Sequence, residues 1–350
     1  MVMSAEMKAR VEQRVNEGLR NQWYPVAKSV EVRNDRPYGV VALGQKLVLW
    51  RGEDGQIQCI EDFCPHRGAP LSYGEIHGSN IGCRYHGVVV DGTGTVQQVP
   101  AMPDCPMEGR KALRSYQVRE YSDAVFVFVS NDEATEPLEL PLSPELSDPE
   151  WTGFLCTATW DVNYRYALDN LADPMHGCYL HAESFTLAFG SKQDLLELDR
   201  RDAGFRVSRV GQTGENFDWV EFETPEGGQY CHLDIPYPPA AGPGGNMRIV
   251  GYVLPMGPQR CKVFFWRMRK VRGFESDSWR FLYRARLEER HWNVLEQDRV
   301  MLEGMPDDAR RREMLYQHDI GLAHLRRALN RAAREQLEAE DAANGTVAAE

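Results

Sequence analysis

The sequence lacks any apolar run of the roughly 18–20 residues that a membrane-spanning helix requires. Its first residues, MVMSAEMKARVEQRVNEGLR, are charged and helical, and they lack the basic stub and apolar core of a signal peptide. Basic residues are also in the minority, because 40 Lys and Arg stand against 52 Asp and Glu, a net charge of −12. That balance argues against nucleic acids and anionic membranes as partners. We therefore expect a cytoplasmic protein.

A dinucleotide-binding motif is missing as well. No G-x-G-x-x-G opens a helix after a strand, and the nearest match, GTGTVQ at 92–97, lacks the third Gly and lies in a predicted β-hairpin. The chain is therefore not expected to bind NAD(P)H or flavin through that fold. Its composition, 42% hydrophobic and 26% charged, is that of an ordinary globular protein, and 350 residues suffice for one large or two ordinary domains.

Shifts in composition divide the chain into five segments. Residues 1–21 contain a short amphipathic helix, and residues 22–130 hold short β-type runs separated by Gly, Asp and Asn, as in a small all-β domain. Residues 131–150 are rich in Pro and acidic residues and have no periodicity, which predicts a linker. Residues 151–340 would form a second domain, and 341–350 a frayed tail.

The second domain combines strands and helices. Runs such as FRVSRVG, WVEFET and MRIVGYVLPM predict an antiparallel sheet, whereas residues 285–337 are predicted to be helical. The fold class expected for the whole chain is therefore α+β.

Two of the eight cysteines, Cys64 and Cys83, belong to paired Cys-His motifs, and the other six are interpreted as ordinary small apolar residues. Cys64 and His66 form a C-x-H pair, and Cys83 and His86 form a C-x-x-H pair sixteen residues further on. Two Cys and two His could hold one tetrahedral zinc, or a Rieske 2Fe–2S cluster with two thiolates on one iron and two imidazoles on the other. Zinc ribbons usually have C-x-x-C pairs, so the spacing favours the cluster.

With these motifs, CPHRGAPL and CRYHG, the first 130 residues resemble the Rieske domain of the Rieske non-haem iron ring-hydroxylating oxygenases. The family usually has Trp directly after the YHG tripeptide, and this chain has Val88. The departure leaves the four candidate ligands in place, but the packing behind the second loop must differ.

A second group of metal-ligand residues lies in the segment LDNLADPMHGCYLHAESF. Asp173, His176 and His181 form D-x-x-H-x-x-x-x-H, and two His with one carboxylate is the ligand set of non-haem Fe(II) oxygenases. Five residues correspond to about 140° around an α-helix, too wide for one metal, so the segment must be distorted, and Gly177 permits this. Pro174 pushes Asp173 out of helical geometry, which makes Asp173 a neighbour of His176 rather than a ligand.

The missing carboxylate ligand is expected on a later helix. Asp298 lies in the middle of an apolar stripe, where a carboxylate is costly unless it is paired with an Arg or binds a metal. The family resemblance favours the metal, because relatives carry the third ligand on a C-terminal helix in a context that matches QDRVMLE. The predicted stripe consists of Leu287, His291, Val294, Asp298, Met301 and Met305.

The resemblance covers about residues 20–330 and implies more than the two ligand sets. It implies an all-β Rieske domain followed by a helix-grip-like catalytic domain with a long C-terminal helix. It also implies a head-to-tail trimer, in which Asp173 would bridge His176 of one subunit and His86 of the next. Family members place a polar side chain near the iron just before this Asp, and Asn170 matches better than Asp169.

The activity implied is that of a terminal oxygenase component. Dioxygen and two electrons, delivered singly through the Rieske cluster, would hydroxylate an aromatic substrate at a mononuclear Fe(II). The electrons would come from a separate NAD(P)H reductase, with or without a ferredoxin. At 350 residues the chain resembles the shorter, phthalate-type oxygenases without a β subunit, which predicts a homotrimer or a multiple of it.

Three alternatives remain at this stage. The first is a Rieske monooxygenase that removes O- or N-methyl groups, which would release formaldehyde. The second is a Rieske electron carrier without oxygenase activity, and the third is a zinc-stapled binding module.

Candidates for the substrate pocket come from the same region of the chain. His232 alternates with Asp234 on a predicted strand and could face the pocket, whereas His291 is interpreted as a hydrogen-bonded core residue. The apolar candidates for the pocket lining are Leu168, Met175, Phe185, Leu187 and Phe189.

Overall fold

The computed structural model describes residues 3–184, 187–212 and 214–347. These residues form two compact units. Residues 20–140, together with residues 254–257, make one unit, which we call the β unit. The rest of the described chain makes the other, which we call the mixed unit.

The β unit consists of short antiparallel strands arranged in three sheets. The sheet orders are β1-β10-β9, β2-β3-β4 and β5-β6-β7-β8. The strands are β1 Gln22–Lys28, β2 Tyr38–Ala42, β3 Gln45–Arg51, β4 Ile57–Glu61, β5 Glu75–His77, β6 Asn80–Gly82, β7 Val89–Val90, β8 Val96–Gln98, β9 Val118–Tyr121 and β10 Ala124–Val129.

Apolar side chains from several strands of this unit form a core around the two cysteine loops. Val48, Ile60 and Val90 belong to this core. Val88 is also buried, in the same cluster as Cys64, Cys83 and Leu71. A valine therefore fills the position where the family usually has tryptophan.

The mixed unit is built on one seven-stranded antiparallel sheet with the order β11-β17-β16-β15-β14-β13-β12. Its strands are β11 Trp151–Trp160, β12 Leu196–Arg201, β13 Gly204–Arg209, β14 Trp219–Glu223, β15 Tyr230–Ile235, β16 Met247–Gly257 and β17 Arg260–Lys270. The last four residues of β16 are those counted with the β unit. One face of the sheet packs into a large apolar core with the helices, and this core includes Trp160, Phe265 and Trp279. The combination of a β unit and a mixed unit with a large antiparallel sheet confirms the predicted α+β class.

Seven helices belong to the mixed unit. They are α1 Ala5–Glu17, α2 Tyr164–Leu171, α3 Gly177–Leu180, α4 Phe274–Leu282, α5 Glu288–Glu303, α6 Ala309–Arg312 and α7 Ile320–Val347. A π-helical turn, Tyr283–Leu287, joins α4 to α5. Among the described residues, no helix is both long and apolar enough to cross a bilayer.

The helical region expected at 285–337 is interrupted, which corrects that prediction. The chain leaves α5 at Gly304, and Pro306 follows closely, which disfavours continuation of the helix. In contrast, α7 continues past residue 340, where a frayed tail was expected. Ion pairs between α1 and α7 stabilise this last part, with Arg14 at 2.7 Å from Glu340 and Arg10 at 2.7 Å from Asp341.

Candidate metal centre and cluster site

The two cysteine loops of the β unit share one backbone pattern. In the first, the Cys64 carbonyl accepts a hydrogen bond from Gly68 N at 2.8 Å. In the second, the Cys83 carbonyl accepts one from Gly87 N, also at 2.8 Å. Both glycines have positive φ, 76° and 77°, a conformation that side chains disfavour. The two halves of the motif therefore fold into matching tight turns.

The sulfur and nitrogen atoms of these loops differ in exposure. Cys64 and Cys83 are buried in the apolar core of the β unit, whereas His66 and His86 are exposed, with ring centroids 4.6 Å apart. Burial raises the pKa of the Cys64 thiol to about 11, although backbone amides of His66 and Arg67 donate towards its sulfur. A thiolate at this position therefore needs a nearby cation, which iron would provide. The four donors suit a 2Fe–2S cluster whose thiolate end is buried and whose imidazole end faces outward.

The two candidate iron histidines lie on either side of a single helical turn. Helix α2 ends at Leu171, and His176 and His181 cap the two ends of α3. This is the distortion that the five-residue spacing required. Gly177 contributes in an unexpected way, because a Cβ at this position would lie 2.4 Å from the ring of Phe217. It permits close packing rather than an unusual backbone conformation.

Each histidine uses Nδ1 for a hydrogen bond within the protein. His176 Nδ1 lies 2.6 Å from the carbonyl oxygen of Asp173, and His181 Nδ1 lies 2.9 Å from Gln297 Oε1. Both Nε2 atoms face Asp298 Oδ1, at 3.6 Å and 3.3 Å. Ligand atoms of His176, His181 and Asp298 all lie within 4.8 Å of one another. The arrangement leaves one nitrogen of each imidazole directed at a common point.

Asp298 is buried on α5, and its close polar neighbours are the two histidines and Asn170. Asn170 Nδ2 donates to Asp298 Oδ1 at 3.2 Å. Burial lowers the pKa of His181, but the hydrogen bond and charge of Asp298, with a contribution from Gln297, outweigh it and raise the pKa. The pocket between these side chains therefore favours a positive charge, and two imidazoles with one carboxylate fit a mononuclear iron.

Asp173 lies outside this group of three, beside His176. Its Oδ1 accepts a hydrogen bond from Met175 N at 2.7 Å, and its Oδ2 is 3.9 Å from His176 Nδ1. The contact with His176 is therefore made by the backbone carbonyl, while the carboxylate is partly exposed. It lines a surface depression together with His176, Tyr179, Tyr316 and His318.

Asn170 and Asp169 have different surroundings. Asn170 lines the cavity beside the metal-ligand group, whereas Asp169 forms ion pairs with Arg310 and Arg326. Asp169 thus connects α2 to α6 and α7. The geometry supports the preference for Asn170 as the polar neighbour of the metal site.

A cavity of about 490 Å³ is lined by all three members of the metal-ligand group. Sheet residues Trp160, Leu233, Ile235 and Phe265 provide much of its apolar lining. Leu187 lines the cavity as predicted, and Phe185 lies outside the described residues. The other candidates lie elsewhere: Leu168 is in the core, Met175 lines the surface depression, and Phe189 is exposed.

The structure answers the open question about the direction of His232 and corrects the predicted stripe on α5. His232 does not reach the cavity, because its neighbour Leu233 does and successive strand residues face opposite sides of the sheet. His232 instead lies 3.3 Å from Glu221. On α5, Met301 is exposed and Leu302 is buried, so the buried stripe is rotated from the predicted one.

Three residues of the site were not found in the sequence. Gln297 fixes His181, and Arg267 and Tyr237 line the cavity. His291 is buried as expected, with Nε2 2.5 Å from the Tyr237 hydroxyl, but its Nδ1 has no hydrogen-bond partner in the described part of the chain. In the sequence, the position of Gln297 directly before the candidate ligand Asp298 was the one feature that could have pointed to its role in the site.

Comparison with known families agrees with this geometry. Residues 22–121 match the Rieske [2Fe-2S] domain. Residues 160–335, just over half of the chain, match the vanillate O-demethylase oxygenase C-terminal domain. A Rieske domain joined to such a domain defines the class of Rieske-type oxygenase components. The chain belongs to the Rieske oxygenase family whose members carry this C-terminal domain, and its cofactors are accordingly a [2Fe–2S] cluster and a mononuclear iron.

Individual relatives match this chain over only part of its length. The vanillate O-demethylase oxygenase subunit of Pseudomonas sp. strain HR199 is 35% identical over 167 residues, 47% of this chain and 46% of the relative. The chain spans about half the length of the curated relatives it matches, or less.

Solved structures show the same fold over nearly the whole chain. Dicamba monooxygenase has a TM-score of 0.74 at 22% identity, with 92% of this chain and 99% of that chain covered. The terminal oxygenase of carbazole 1,9a-dioxygenase from Novosphingobium sp. KA1 has a TM-score of 0.75 at 23% identity, with 95% and 98% covered. Other structures of carbazole 1,9a-dioxygenase contain the oxygenase in complex with a ferredoxin.

Proposed function

We propose that this chain is a terminal oxygenase component that hydroxylates an aromatic substrate with dioxygen and electrons from a separate NAD(P)H reductase. The observation that carries the proposal is the convergence of His176, His181 and Asp298 at the wall of a 490 Å³ cavity. The same chain contains a Rieske domain, so it has sites for both the electron donor and the oxygen chemistry.

The metal-binding roles follow from the two groups of side chains. His176, His181 and Asp298 would hold the mononuclear Fe(II), and the 2Fe–2S cluster would be held by Cys64, His66, Cys83 and His86. When bound, the iron supplies dioxygen activation, and the cluster supplies the electrons.

The remaining roles belong to the protein. Asn170 holds the Asp298 carboxylate, and the Gln297 and Asp173 acceptors fix the two imidazoles so that Nε2 of each faces Asp298, where the iron would be held. The apolar sheet wall of the cavity binds an aromatic ring and excludes water from it.

Asp173 is proposed to connect two subunits. Its Oδ2 makes no hydrogen bond with the described residues, and the depression around it opens at the surface. A carboxylate there can accept a hydrogen bond from His86 of a neighbouring subunit, whose ring is exposed. We propose a homotrimer, or a multiple of one, in which the cluster of one subunit supplies the iron site of the next.

The redox partner would be a reductase that acts directly or through a ferredoxin. The ferredoxin complexes of the structurally similar carbazole dioxygenase support a partner of this kind. All eight cysteines are buried and free of disulfides, which is compatible with the proposed cytoplasmic location.

The test combines metal analysis with a substrate screen. The purified protein should be red-brown and contain about three irons per chain, two in the cluster and one at the mononuclear site. With a generic reductase, an aromatic substrate should give oxygen uptake coupled to product. A diol or phenol indicates ring hydroxylation, and formaldehyde indicates the demethylation that the C-terminal domain match also allows. Two irons per chain without any coupled product would contradict the proposal.

A further inference from the structure

The segment that joins α2 to α3 carries Asp173 and His176, and its carbonyl groups lie outside both helices. When such carbonyls are buried, they need donors other than those of a helix. The Asp173 carbonyl lies 2.6 Å from His176 Nδ1, and the Met175 carbonyl accepts a hydrogen bond from Cys178 Sγ at 3.3 Å. Both donors belong to the segment itself or to α3, so they do not fix the segment relative to the sheet.

The donor to the Pro174 carbonyl comes from the sheet. Arg209 ends β13, its side chain is completely buried, and its Nη1 donates to the Pro174 carbonyl at 3.4 Å. The same Nη1 lies 4.0 Å from Cys178 Sγ, and Nη2 donates to the Ser191 carbonyl. One guanidinium therefore joins the segment before His176 to the chain that follows α3. Among the described residues, it is the only side chain of another strand or helix that bonds to the backbone of this segment.

Asp194 holds Arg209 in place. Its Oδ2 lies 3.6 Å from Arg209 Nε, which is an ion-pair distance too long for a hydrogen bond. Its Oδ1 accepts hydrogen bonds from Leu195 N and Gly211 N, both at 2.8 Å, and its side chain is only 5% exposed. A buried ion pair of this kind adds little net stability compared with apolar residues of similar size. Stability alone therefore does not explain an arginine at this position.

His176 depends on such a tie more than His181 does. The His181 side chain is 2% exposed, and its Nδ1 is bonded to Gln297 on α5. The His176 side chain is 20% exposed, and the acceptor beside its Nδ1, the Asp173 carbonyl, belongs to the same segment. If the segment shifts, the imidazole and its acceptor move together, and neither restrains the other.

We propose that Arg209 is a positioning residue, which fixes His176 and Asp173 by holding the Pro174 carbonyl. It does not touch the iron and acts through the backbone. The inference rests on the proposed function and goes beyond it, because it makes one iron ligand and the proposed bridge to the next subunit depend on a residue of the sheet. In the competing interpretation, the Arg209–Asp194 pair only stabilises the fold.

Two variants separate these interpretations. Asp194→Asn removes the charge partner but keeps the guanidinium and its contacts with the two carbonyls, so it is the matched control. The double variant Arg209→Gln/Asp194→Asn removes the guanidinium without leaving an unpaired buried charge, so it should fold. Thermal unfolding and the visible spectrum of the cluster are recorded for both, and the cluster spectrum should stay that of the parent.

The readouts are the affinity for Fe(II) and the geometry of the iron site. Affinity is measured by anaerobic dialysis against Fe(II). Geometry is measured by electron paramagnetic resonance after addition of nitric oxide, a probe that binds an open position of Fe(II). In the double variant we expect the affinity to fall by roughly tenfold or more, and the resonance to change shape, because His176 is no longer held. Asp194→Asn should keep the affinity and the resonance of the parent, even if it unfolds at a lower temperature.

Unchanged affinity and resonance in the double variant would overturn the proposal, and so would equal changes in Asp194→Asn. If the double variant does not fold, Arg209→Lys decides. An ammonium group is a single point of charge and does not span two carbonyls as the guanidinium fork does. Arg209→Lys should therefore give an altered resonance with a smaller loss of affinity, and a resonance identical to that of the parent would overturn the proposal.

These readouts separate the inference from the proposed function, because neither needs turnover. A chain whose variants respond as expected but which forms no oxygenated product would contradict the function alone. A chain that forms product, and whose double variant keeps the affinity and resonance of the parent, would contradict the positioning role alone.

Discussion

Gln297 Oε1 lies 2.9 Å from His181 Nδ1, and Gln297 directly precedes Asp298 on α5. One helix therefore supplies the candidate carboxylate ligand and also the acceptor that orients a candidate histidine ligand. With its proton on Nδ1, His181 presents Nε2 to the metal. Side chains that orient a metal-bound histidine in this way commonly affect metal affinity.

Replacement of Gln297 tests this role. Gln297→Leu should weaken iron binding by about 10- to 100-fold, because the imidazole loses its orienting acceptor. Gln297→Glu retains an acceptor at the same distance and should retain most of the affinity. The measurements are iron content after dialysis and the visible spectrum of the cluster, which should not change. Glu296→Gln on the exposed side of α5 is the control, and an equal loss of iron there would argue against a specific role for Gln297.

Removal of either cluster thiolate should bleach the protein. In Cys64→Ser and Cys83→Ser a hydroxyl replaces a soft thiolate, and the visible absorption of the cluster should disappear while the mononuclear iron remains. Cys59→Ala, at a buried cysteine outside both loops, should keep the spectrum. An unchanged spectrum in either serine variant would refute the proposed ligand set.

Mixed trimers test whether electrons pass between subunits. A His176→Ala chain keeps the cluster without the iron, and a Cys64→Ser chain keeps the iron without the cluster, so each should be inactive alone. Co-expressed, they should regain part of the activity, because an intact cluster then faces an intact iron site in a neighbour.

Introducing Asp173→Ala into one or the other chain of these mixed trimers gives the matched control. Asp173→Ala in the Cys64→Ser chain, which carries the iron, should reduce the recovered activity sharply. The same change in the His176→Ala chain should have little effect, since that chain has no iron to serve. Well-formed mixed trimers without recovery, or equal effects in both positions, would overturn the bridge.

Glu223 should make the stability of the mixed unit depend on pH. Burial, followed by the hydrogen bond and charge of Glu221, raises the pKa of Glu223 from 4.5 to about 7. Between these values the folded state holds a proton that the unfolded chain has lost, so the free energy of unfolding falls as the pH rises. Glu223→Gln should therefore stabilise the protein at pH 8 more than at pH 5.

The expected difference is about 1 kcal/mol or less, because Glu223 is only half-buried and solvent screens its charge. Thermal unfolding of the variant and the parent at both pH values measures it. Glu197→Gln on the exposed side of β12 should show no such difference. A larger stabilisation at pH 5 than at pH 8 would contradict the argument.

The sequence was sufficient to predict the two ligand groups, since their spacing has few alternative explanations. Cys64 and His66 occur two residues apart, and the five-residue gap between His176 and His181 required the turn that the structure contains. Asp298 could be predicted because a carboxylate on an apolar helix face is costly unless it is paired or binds a metal, and the family resemblance favoured the metal.

Other features depend on packing that the sequence does not encode locally. Alternation along β15 indicates two faces but does not say which one meets the cavity, so the sequence could not decide whether His232 or Leu233 faces it. Arg267 lies in a strand with buried residues on both faces, where no pattern distinguishes the cavity wall from the core. The contact of Gln297 with His181 joins residues far apart in the sequence and depends on how α5 packs beside α3.

The central claim is that oxygen chemistry occurs at the iron held by His176, His181 and Asp298. Its most direct test compares the parent enzyme with Asp298→Ala, using isotopically labelled dioxygen, a reductase and a substrate found in the screen. The account predicts labelled product from the parent, and loss of both mononuclear iron and product from Asp298→Ala while its cluster spectrum is retained. Labelled product from an Asp298→Ala protein with a full iron content would contradict it.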